Sequence, residues 1–429
     1  MQVTKKLLTV AIVVFVISLL IACSRPVDEQ KPLINLQHLD YLYTHLTVEN
    51  QKRAGIVIYA EYPDYAYFEA PGEGLICVDD VARAAIVYLR YGHYYKDEAA
   101  LKKADALMRT ILYLQAPNGC FFNFITAEGK IQKELKNSKP LPNWWTWRAL
   151  WALAEYTYWN RQHGSPLLDS VQTAVRQVLP HVQALTEAEG QWQTINGFKI
   201  PLWLPQKYAA DQGGLLVKAL ATLYKVEKDE KVLKLIRQLS DGLLAMQVKD
   251  ERSPFYGAFL SWQNVWHAYG NIQADALFDA FEATGDSAYF KAALLELRHF
   301  YPVLKARNFL RSAKLQNDNG RVTVIDQKQF EQIAYDFRPM VWAALHAWRL
   351  TGKAEFLQLA VDLSAWFAGE NIADVKMYDP QTGRCFDGII SPKKVNLNSG
   401  AESTIEALLA LLEAEKDVDF KKQLPAFWQ

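Results

Sequence analysis

The chain has 429 residues, of which 50% are hydrophobic and 13% aromatic, so it can bury a large core in one to three domains. Its 47 basic and 47 acidic side chains cancel to a formal net charge of zero. This balance, with no basic run beyond the first residues, argues against a nucleic-acid partner.

The N-terminal segment is built differently from the rest. Lys5 and Lys6 precede a continuous apolar run that ends at Ala22, and Cys23 follows at once. A basic start, an apolar stretch and a small residue before the cut are the parts of a secretory signal. A small residue directly before cysteine resembles the lipobox of bacterial lipoproteins, which implies cleavage before Cys23 and lipidation of it. A plain transmembrane anchor is the alternative, and either arrangement puts the remainder outside the cytoplasm.

We therefore divide the chain into three parts. Residues 1–22 are a signal peptide, residues 23–32 are a lipidated cysteine with a polar tether, and residues 33–429 are a single domain. The expected location is the bacterial cell envelope, with the membrane as a partner through the lipid on Cys23.

From residue 33 onward helical periodicity dominates, and two helix types alternate. The first type is apolar nearly all round, as expected of a helix that is buried on most sides. Six segments have this character and begin at residues 79, 144, 211, 271, 335 and 400. Their spacing of 60 to 67 residues indicates one helical hairpin repeated six times.

The second type is amphipathic, with charges on the outward face. Short turns around Gly285 and Gly352 join such helices to the apolar ones. The links leading into the apolar helices are mostly longer, and the 370–399 link contains DPQTGRCFDGI, which predicts a small β-hairpin. The predicted amphipathic helices span residues 35–52, 97–115, 168–185, 229–247, 286–301 and 353–369.

Six buried helices ringed by six outer ones resemble the (α/α)6 barrel of the six-hairpin glycosidase-like proteins. The resemblance covers residues 33 to about 415 and implies an all-α fold with small β-hairpins in the loops at one mouth. An open α-solenoid is the alternative, but six repeats without polar capping repeats favour closure. In the closed form the N-terminus of every inner helix lies at one mouth, where positive helix-dipole ends converge.

That mouth is expected to collect acids, arginines and aromatic rings. Aromatic faces stack on sugar rings, and a concave aromatic site with a few convergent polar groups is the default ligand site. The catalytic candidates are Asp79, Asp80, Asp211, Asp336 and Glu402. The residues predicted to bind substrate are Arg83, Trp144, Trp145, Trp147, Arg148, Trp262, Trp266, Tyr335, Arg338 and Asp387.

These residues also have structural interpretations. One of Asp79 and Asp80 is expected to cap its helix. Asp336 and Arg338 would form an ion pair, and the tryptophans at 144–147 would belong to the core. The coincidence of acids with arginine and tryptophan, which the outer helices lack, favours a functional mouth.

Two segments resemble those of a group of bacterial six-hairpin proteins associated with polysaccharide metabolism. They are CVDDVARAAIVYLRYG (77–92), with an Asp-Asp-x-Ala-Arg segment, and NSGAESTIEALLALL (398–412), with Gly-Ala-Glu-Ser-Thr. The resemblance implies a carbohydrate partner. Unsaturated glucuronyl hydrolases and inverting glycosidases resemble the chain in architecture only, so none of their catalytic positions is transferred.

The resulting hypothesis is an envelope-tethered, glycoside hydrolase-like enzyme acting on an oligo- or polysaccharide. Hydrolysis needs a protonated acid and a second carboxylate, about 5–5.5 Å apart for retention and about 6.5–9.5 Å for inversion. Because neighbouring helix positions point about 100° apart, Asp79 and Asp80 are not expected to form this pair. We expect one of them to work with Asp336 or Glu402. The reserve carboxylates are Asp211 and Asp387.

Other functions stay open. A polysaccharide lyase or sugar epimerase on the same barrel would depend more on His267, Tyr335 and Arg338. A non-catalytic glycan-binding lipoprotein would keep the aromatic cleft, and an envelope scaffold would leave the aromatic mouth unexplained. No HExxH, GxSxG or phosphate-loop motif is present, and no metal or cofactor is expected. The cysteines beyond Cys23 allow at most one intrachain disulfide and match no zinc motif.

Overall fold

The structure, a computed structural model, describes residues 32–162 and 164–423. The predicted signal peptide and Cys23 lie outside the described residues. The helices are α1 Gln37–Leu42, α2 Val78–Tyr95, α3 Glu98–Tyr113, α4 Trp144–Asn160, α5 Leu168–Thr186, α6 Ala210–Glu227, α7 Glu230–Ala245, α8 Gln273–Thr284, α9 Ser287–Leu295, α10 Tyr301–Ala306, α11 Ala334–Thr351, α12 Ala354–Ser364, α13 Ala401–Glu415 and α14 Val418–Lys422. A π-helical turn, Glu296–Phe300, joins α9 to α10, and short 3-10 segments span Pro205–Lys207 and Ala365–Ala368.

The strands form small antiparallel hairpins and pairs between the helices. They are β1 Tyr43–Val48, β2 Gln51–Ile56, β3 Tyr59–Glu61, β4 Ala66–Phe68, β5 Ile76–Cys77, β6 Phe124–Ile125, β7 Trp192–Ile195, β8 Phe198–Pro201, β9 Val265–His267, β10 Ser312–Asp318, β11 Arg321–Lys328, β12 Tyr378–Asp379, β13 Arg384–Cys385, β14 Gly388–Ser391 and β15 Lys394–Asn396.

The six apolar segments form a closed inner ring. Helices α2, α4, α6, α8, α11 and α13 each pack against the next, and α13 returns to pack against α2. The predicted closed (α/α)6 barrel is therefore confirmed, and the open solenoid is excluded. Large aromatic side chains fill the interior: Trp147 and Trp151 are buried, and Trp151 meets Trp342 of the facing α11 edge to face at 6.0 Å.

The short turns follow the predicted pattern. Gly285 and Gly352 end α8 and α11 in the left-handed conformation, with φ of 73° and 64°. Glycine adopts this conformation without the penalty that a Cβ imposes. The hairpin predicted in the 370–399 link is also present, as β12 paired antiparallel with β13.

The first predicted outer helix, residues 35–52, is wrong over most of its length. Only α1 is helical there; β1 and β2 follow and pair antiparallel around Glu49 and Asn50, which both have positive φ. The run Tyr43–Val48 holds two threonines and a valine, and its last residues alternate between exposed and buried. This β-branched alternation is a strand signal that competed with the helical one. Helices α1 and α14 both pack against α13 in place of a long outer helix.

The longest hairpin, β10–β11, was also missed. Its turn carries Asn319 and Gly320, both at positive φ, between the two alternating strands. An Asn-Gly pair flanked by such strands is the strongest short-range hairpin signal. Strand β9 adds to this hairpin as a third strand and carries His267 to the mouth.

The opposite end of the barrel holds a cavity of about 340 Å³ lined by charged side chains of all six inner helices. The charges pair with one another: Arg90 lies 2.6 Å from Glu155, and Lys218 lies 2.6 Å from Asp275 and 2.9 Å from Asp279. The Lys218 ammonium thus bridges these two aspartates. The cluster ties neighbouring helices together.

Cys77, Cys120 and Cys385 are free and buried. Within the described part of the chain, no helix combines the length and the apolar character needed to cross a membrane.

Glu296, in the π-helical turn, gives a test of this packing. Its carboxyl is buried and accepts a hydrogen bond from the backbone N–H of Phe259 at 3.0 Å. Burial raises its pKa from 4.5 to about 8. Because the folded state then holds the proton more tightly than the unfolded state, the free energy of unfolding falls as pH rises from about 4.5 to about 8.

We expect Glu296→Gln to remove this loss and to stabilise the protein by about 2–4 kcal/mol at pH 8, with little gain near pH 5. Urea unfolding across this range measures the effect. Glu355→Gln, at a half-exposed surface carboxylate, is the matched control. Parallel pH profiles for Glu296→Gln and wild type would contradict the assignment.

Candidate functional site

The start of α2 is fixed by the short strand before it. Strand β5 pairs with β6, and the Val78 backbone N–H donates to the Asn123 carbonyl at 2.7 Å. The Cys77 sulfur then caps the helix by accepting from the Asp80 backbone N–H at 3.4 Å. The prediction that Asp79 or Asp80 caps this helix is therefore wrong, because the preceding thiol does so and leaves both carboxylates for other contacts.

The start of α13 is fixed by close backbone approach. The Ala401 backbone N–H donates to the Ile58 carbonyl at 2.9 Å. A Cβ added at Gly400 would lie 2.7 Å from that same oxygen, so a side chain there would force the two segments apart. This contact brings the first turn of α13, with Glu402, beside the first turn of α2.

Between these helix starts lies a cavity of about 370 Å³, which we call the acidic cavity. Six carboxylates and two guanidinium groups line it, so its charge is predominantly negative. Those side chains are Glu73, Asp79, Asp80, Glu331, Asp387 and Glu402, with Arg83 and Arg148.

Arg83 joins the two helices that border this cavity. Its buried guanidinium contacts Asp80 at 2.6 Å, Glu406 at 2.7 Å and Glu402 at 3.1 Å. Burial raises the pKa of Asp80, although Arg83 opposes the shift. Burial would also raise the pKa of Glu406, but Arg338 and Arg83 together hold it below its usual value. Glu402 is the most open of the three, with 46% of its side chain exposed.

Arg148 holds the other aspartate. Its Nη1 lies 2.8 Å from Asp79 Oδ2, and its Nη2 donates to the Tyr335 hydroxyl at 3.0 Å. The second oxygen of Asp79 is buried and has no hydrogen-bond partner in the described structure. Asp79 and Asp80 both line the acidic cavity, but they bind different arginines, Arg148 and Arg83.

Asp387 completes the wall opposite α2. Its Oδ1 accepts from the Gly400 backbone N–H at 2.9 Å and from the Ser403 hydroxyl at 2.7 Å. Burial raises its pKa, with the two hydrogen bonds acting in the other direction. The cavity thus holds carboxyl groups in contrasting surroundings, which is how two carboxyl groups divide acid and base roles.

A second pocket of about 390 Å³, which we call the aromatic pocket, contains Trp144, Asp211 and Trp262. Asp211 is buried there and accepts from the Gln212 backbone N–H at 2.6 Å, and its other oxygen lies 2.9 Å from His267 Nε2. Each carboxylate oxygen of Asp211 therefore has one hydrogen-bonding partner within the protein.

No family model matches the chain, and no curated protein matches its sequence. Several solved structures have a similar fold. A cellobiose 2-epimerase from Bacillus thermoamylovorans superposes with a TM-score of 0.60 at 14% identity, covering 88% of this chain and 97% of that one. A D-mannose isomerase gives 0.55 at 11% identity, with 84% and 91% covered.

An α-1,6-mannanase of Salegentibacter gives a TM-score of 0.52 at 14% identity, with 89% of this chain and 97% of that one covered. That structure is an inactive variant, with two consecutive aspartates replaced by asparagine, in complex with α-1,6-mannotriose.

The chain has the fold of the six-hairpin glycosidase-like proteins. In this six-hairpin barrel, two predicted mouth residues are engaged elsewhere. Asp336 accepts from the Ile333 backbone N–H at 2.9 Å and so ties the entry of α11, and Arg338 pairs with Glu406 at 2.5 Å. Neither is among the residues that line the acidic cavity or the aromatic pocket, and the expected Asp336–Arg338 ion pair is absent from the described contacts. Burial raises the pKa of Asp336 well above its usual range.

Three predicted tryptophans are core residues of the barrel. Trp145 donates to the Phe121 carbonyl at 2.8 Å, Trp147 donates to Gln212 at 3.1 Å, and Trp266 packs against Phe255. All three are buried, which matches the structural interpretation given for Trp145 and Trp147.

Sequence reasoning missed several residues of the acidic cavity. The Tyr59 hydroxyl donates a hydrogen bond to Glu73 at 2.9 Å, and both side chains line the cavity. They were missed because both lie in segments of the sequence without helical periodicity. Glu406, which binds Arg83 but is not among the residues that line the cavity, was also missed, although it lies four residues after Glu402 on an apolar helix. That spacing puts both on one helix face, and it was the signal available.

Arg83 supports a stability test of the site. Arg83→Met would leave Asp80 buried without its cation and reduce the partners of Glu406 to Arg338. Breaking a buried pair from one side costs about 3–5 kcal/mol, so we expect a loss of that size in urea unfolding followed by tryptophan fluorescence. Arg298→Met, which removes a surface pair with Glu355, should change stability little. Equal effects of the two substitutions would refute the role assigned to Arg83.

Proposed function

We propose that the protein is a glycoside hydrolase that acts on a neutral, hydroxyl-rich glycan in the acidic cavity. The observation that carries this proposal is six carboxylates around one cavity with only two guanidinium groups. Such a cavity repels acidic sugars, which argues against a lyase acting on uronic acids. A mannanase with this fold is inactive when two consecutive aspartates are replaced, and this chain also carries two consecutive aspartates at its acidic cavity, Asp79 and Asp80.

In this mechanism Asp79 acts as the ionised carboxylate, either as base or as nucleophile. The guanidinium of Arg148 stabilises its charge, and its buried Oδ1 accepts no hydrogen bond from the described residues. Asp387 supplies the proton, because burial raises its pKa and its Oδ2 accepts no hydrogen bond in the described structure. Asp80 is a positioning residue, because both of its oxygens are engaged, by Arg83 and by the Cys77 thiol.

A sugar epimerase or isomerase is the second candidate function. The structural similarity to such enzymes supports it, but the lining of the acidic cavity does not. Epimerisation or isomerisation of a sugar needs a base with a pKa near neutrality, most often histidine. None of the described residues that line the acidic cavity is a histidine or a lysine. His267 is 1% exposed and is held by Asp211 at the aromatic pocket. A non-catalytic glycan-binding protein is the remaining alternative.

We expect Asp79→Asn to lower kcat by at least about 100-fold on a glycan that wild type cleaves, with an unchanged melting temperature. A panel of neutral glycans, including α-1,6-linked mannooligosaccharides, is screened for new reducing ends, and ultraviolet absorbance reports any lyase product. Asp326→Asn, at an exposed carboxylate on β11, is the control. Full activity of Asp79→Asn, or no cleavage of any glycan by wild type, would refute the proposal.

The leaving group separates the two roles. Asp387→Asn should lose activity on glycans but keep most of it on dinitrophenyl glycosides, because an activated leaving group needs no proton. Asp79→Asn should be inactive on both substrates. Asp80→Asn should lower activity and stability together, because it opens the Arg83 network. The reverse pattern for Asp79 and Asp387 would exchange their roles.

We also propose that the mature protein is a lipoprotein of the bacterial envelope, held by a lipid on Cys23. The support is the Leu-Ile-Ala-Cys sequence at the end of the apolar segment. Cys23→Ser should move the protein from the membrane fraction to the soluble fraction and remove the lipid mass. Cys120→Ser is the control. Retention of Cys23→Ser in the membrane would favour a transmembrane anchor instead.

A further inference from the structure

The aromatic pocket has no role in the proposed acid and base chemistry, yet it opens at the same mouth. Its walls combine the half-buried rings of Trp144, Tyr208 and Trp262 with three glutamine side chains. We propose that it is a second sugar-binding subsite, which makes this protein select oligosaccharides over short glycosides. This inference deepens the proposed function, although sugar binding in the pocket does not require hydrolysis.

The pocket presents neutral hydrogen-bonding groups. Each glutamine amide offers both donors and an acceptor, which matches the hydroxyl groups of a sugar. The side chains of Gln206 and Gln263 have no hydrogen-bond partner in the described structure. Gln212 accepts from Trp147, and this contact fixes the orientation of its amide.

Two of these glutamines are held in strained backbone. Gln206 and Gln263 have φ of 57° and 49°, a conformation that residues with a Cβ rarely adopt. Such strain clusters at ligand sites, where the surroundings fix the conformation. A weak backbone contact from Gln263 N–H to the Tyr208 carbonyl at 3.4 Å joins the two loops that carry them.

The pocket has no free charge to attract an ionic ligand. Asp211 is its only acidic side chain among the described lining residues, and both of its oxygens are occupied. A neutral ligand with apolar ring faces and hydroxyl edges fits this combination of indoles and amides.

Arg148 connects the pocket to the acidic cavity. Its guanidinium contacts Asp79 on one side and lies 5.1 Å from the centre of the Trp144 ring on the other. Trp144 and Arg148 are four residues apart on α4, so their side chains share one helix face. A glycan bound across Arg148 would place one sugar near Asp79 and another against Trp144 and Trp262.

The test measures binding in the Asp79→Asn background, which prevents turnover. Calorimetry is carried out with neutral oligosaccharides of two, three and four units from several linkage series, including α-1,6-mannotriose. We expect affinity to rise at least about tenfold from the disaccharide to the tetrasaccharide in at least one series. Adding Trp262→Ala should weaken tetrasaccharide binding by about tenfold, and the loss should shrink with shorter chains.

Two further variants test whether misfolding explains any loss of binding. Gln263→Ala removes only an amide and should also weaken the longer chains preferentially. Trp192→Ala, at an exposed tryptophan on β7, should leave every affinity unchanged. Absence of length dependence in all series, or equal loss at every length in Trp262→Ala, would refute the subsite. Length-dependent binding in a protein that cleaves nothing would refute the hydrolase proposal alone.

Discussion

The structure depends most on the contact that closes the ring between the first and the last inner helix. Arg83 and Arg90 of α2 reach Glu406 and Glu413 of α13, and in both pairs the partners are 323 residues apart in sequence. The two ties lie two helical turns apart, so they fix the register of α2 against α13. Closure brings the catalytic candidates of the two helices into one cavity, because Arg83 binds Asp80 and Glu402 as well.

The same contact sets the electrostatics of the site. A barrel interior that excludes water makes an unpaired charge costly, so each buried carboxylate either pairs with an arginine or holds its proton more tightly. Glu406 pairs with arginines, which hold its pKa below its usual value, whereas burial raises the pKa of Asp387. Acid–base chemistry needs both kinds of carboxyl group within reach of one substrate. The acid-rich cavity therefore arises from the packing that closes the barrel.

The first outer helix and the missed β10–β11 hairpin show where local patterns compete. Residues 35–52 contain both a helical spacing and a β-branched alternation, and the choice between them follows from packing against α13 and the neighbouring strands. The roles of the mouth residues were predicted unevenly for the same reason. Asp79, Arg83 and Glu402 meet in the acidic cavity as expected, whereas Asp336 and Arg338 sit on the same kind of helix start and point elsewhere.

The sequence by itself determined the six inner helices and their regular spacing, because buried helices must be apolar on most sides and this pattern recurs every 60 to 67 residues. Closure of the ring was favoured by the sequence and was decided by the contact of α13 with α2. It also predicted that acids, arginines and aromatic rings gather at the starts of the inner helices. Only the tertiary structure decided which side chains share a cavity, since contacts such as Arg83 with Glu406 join residues 323 apart. It also decided that Cys77 rather than an aspartate caps α2, because that choice depends on how strand β5 is anchored by β6.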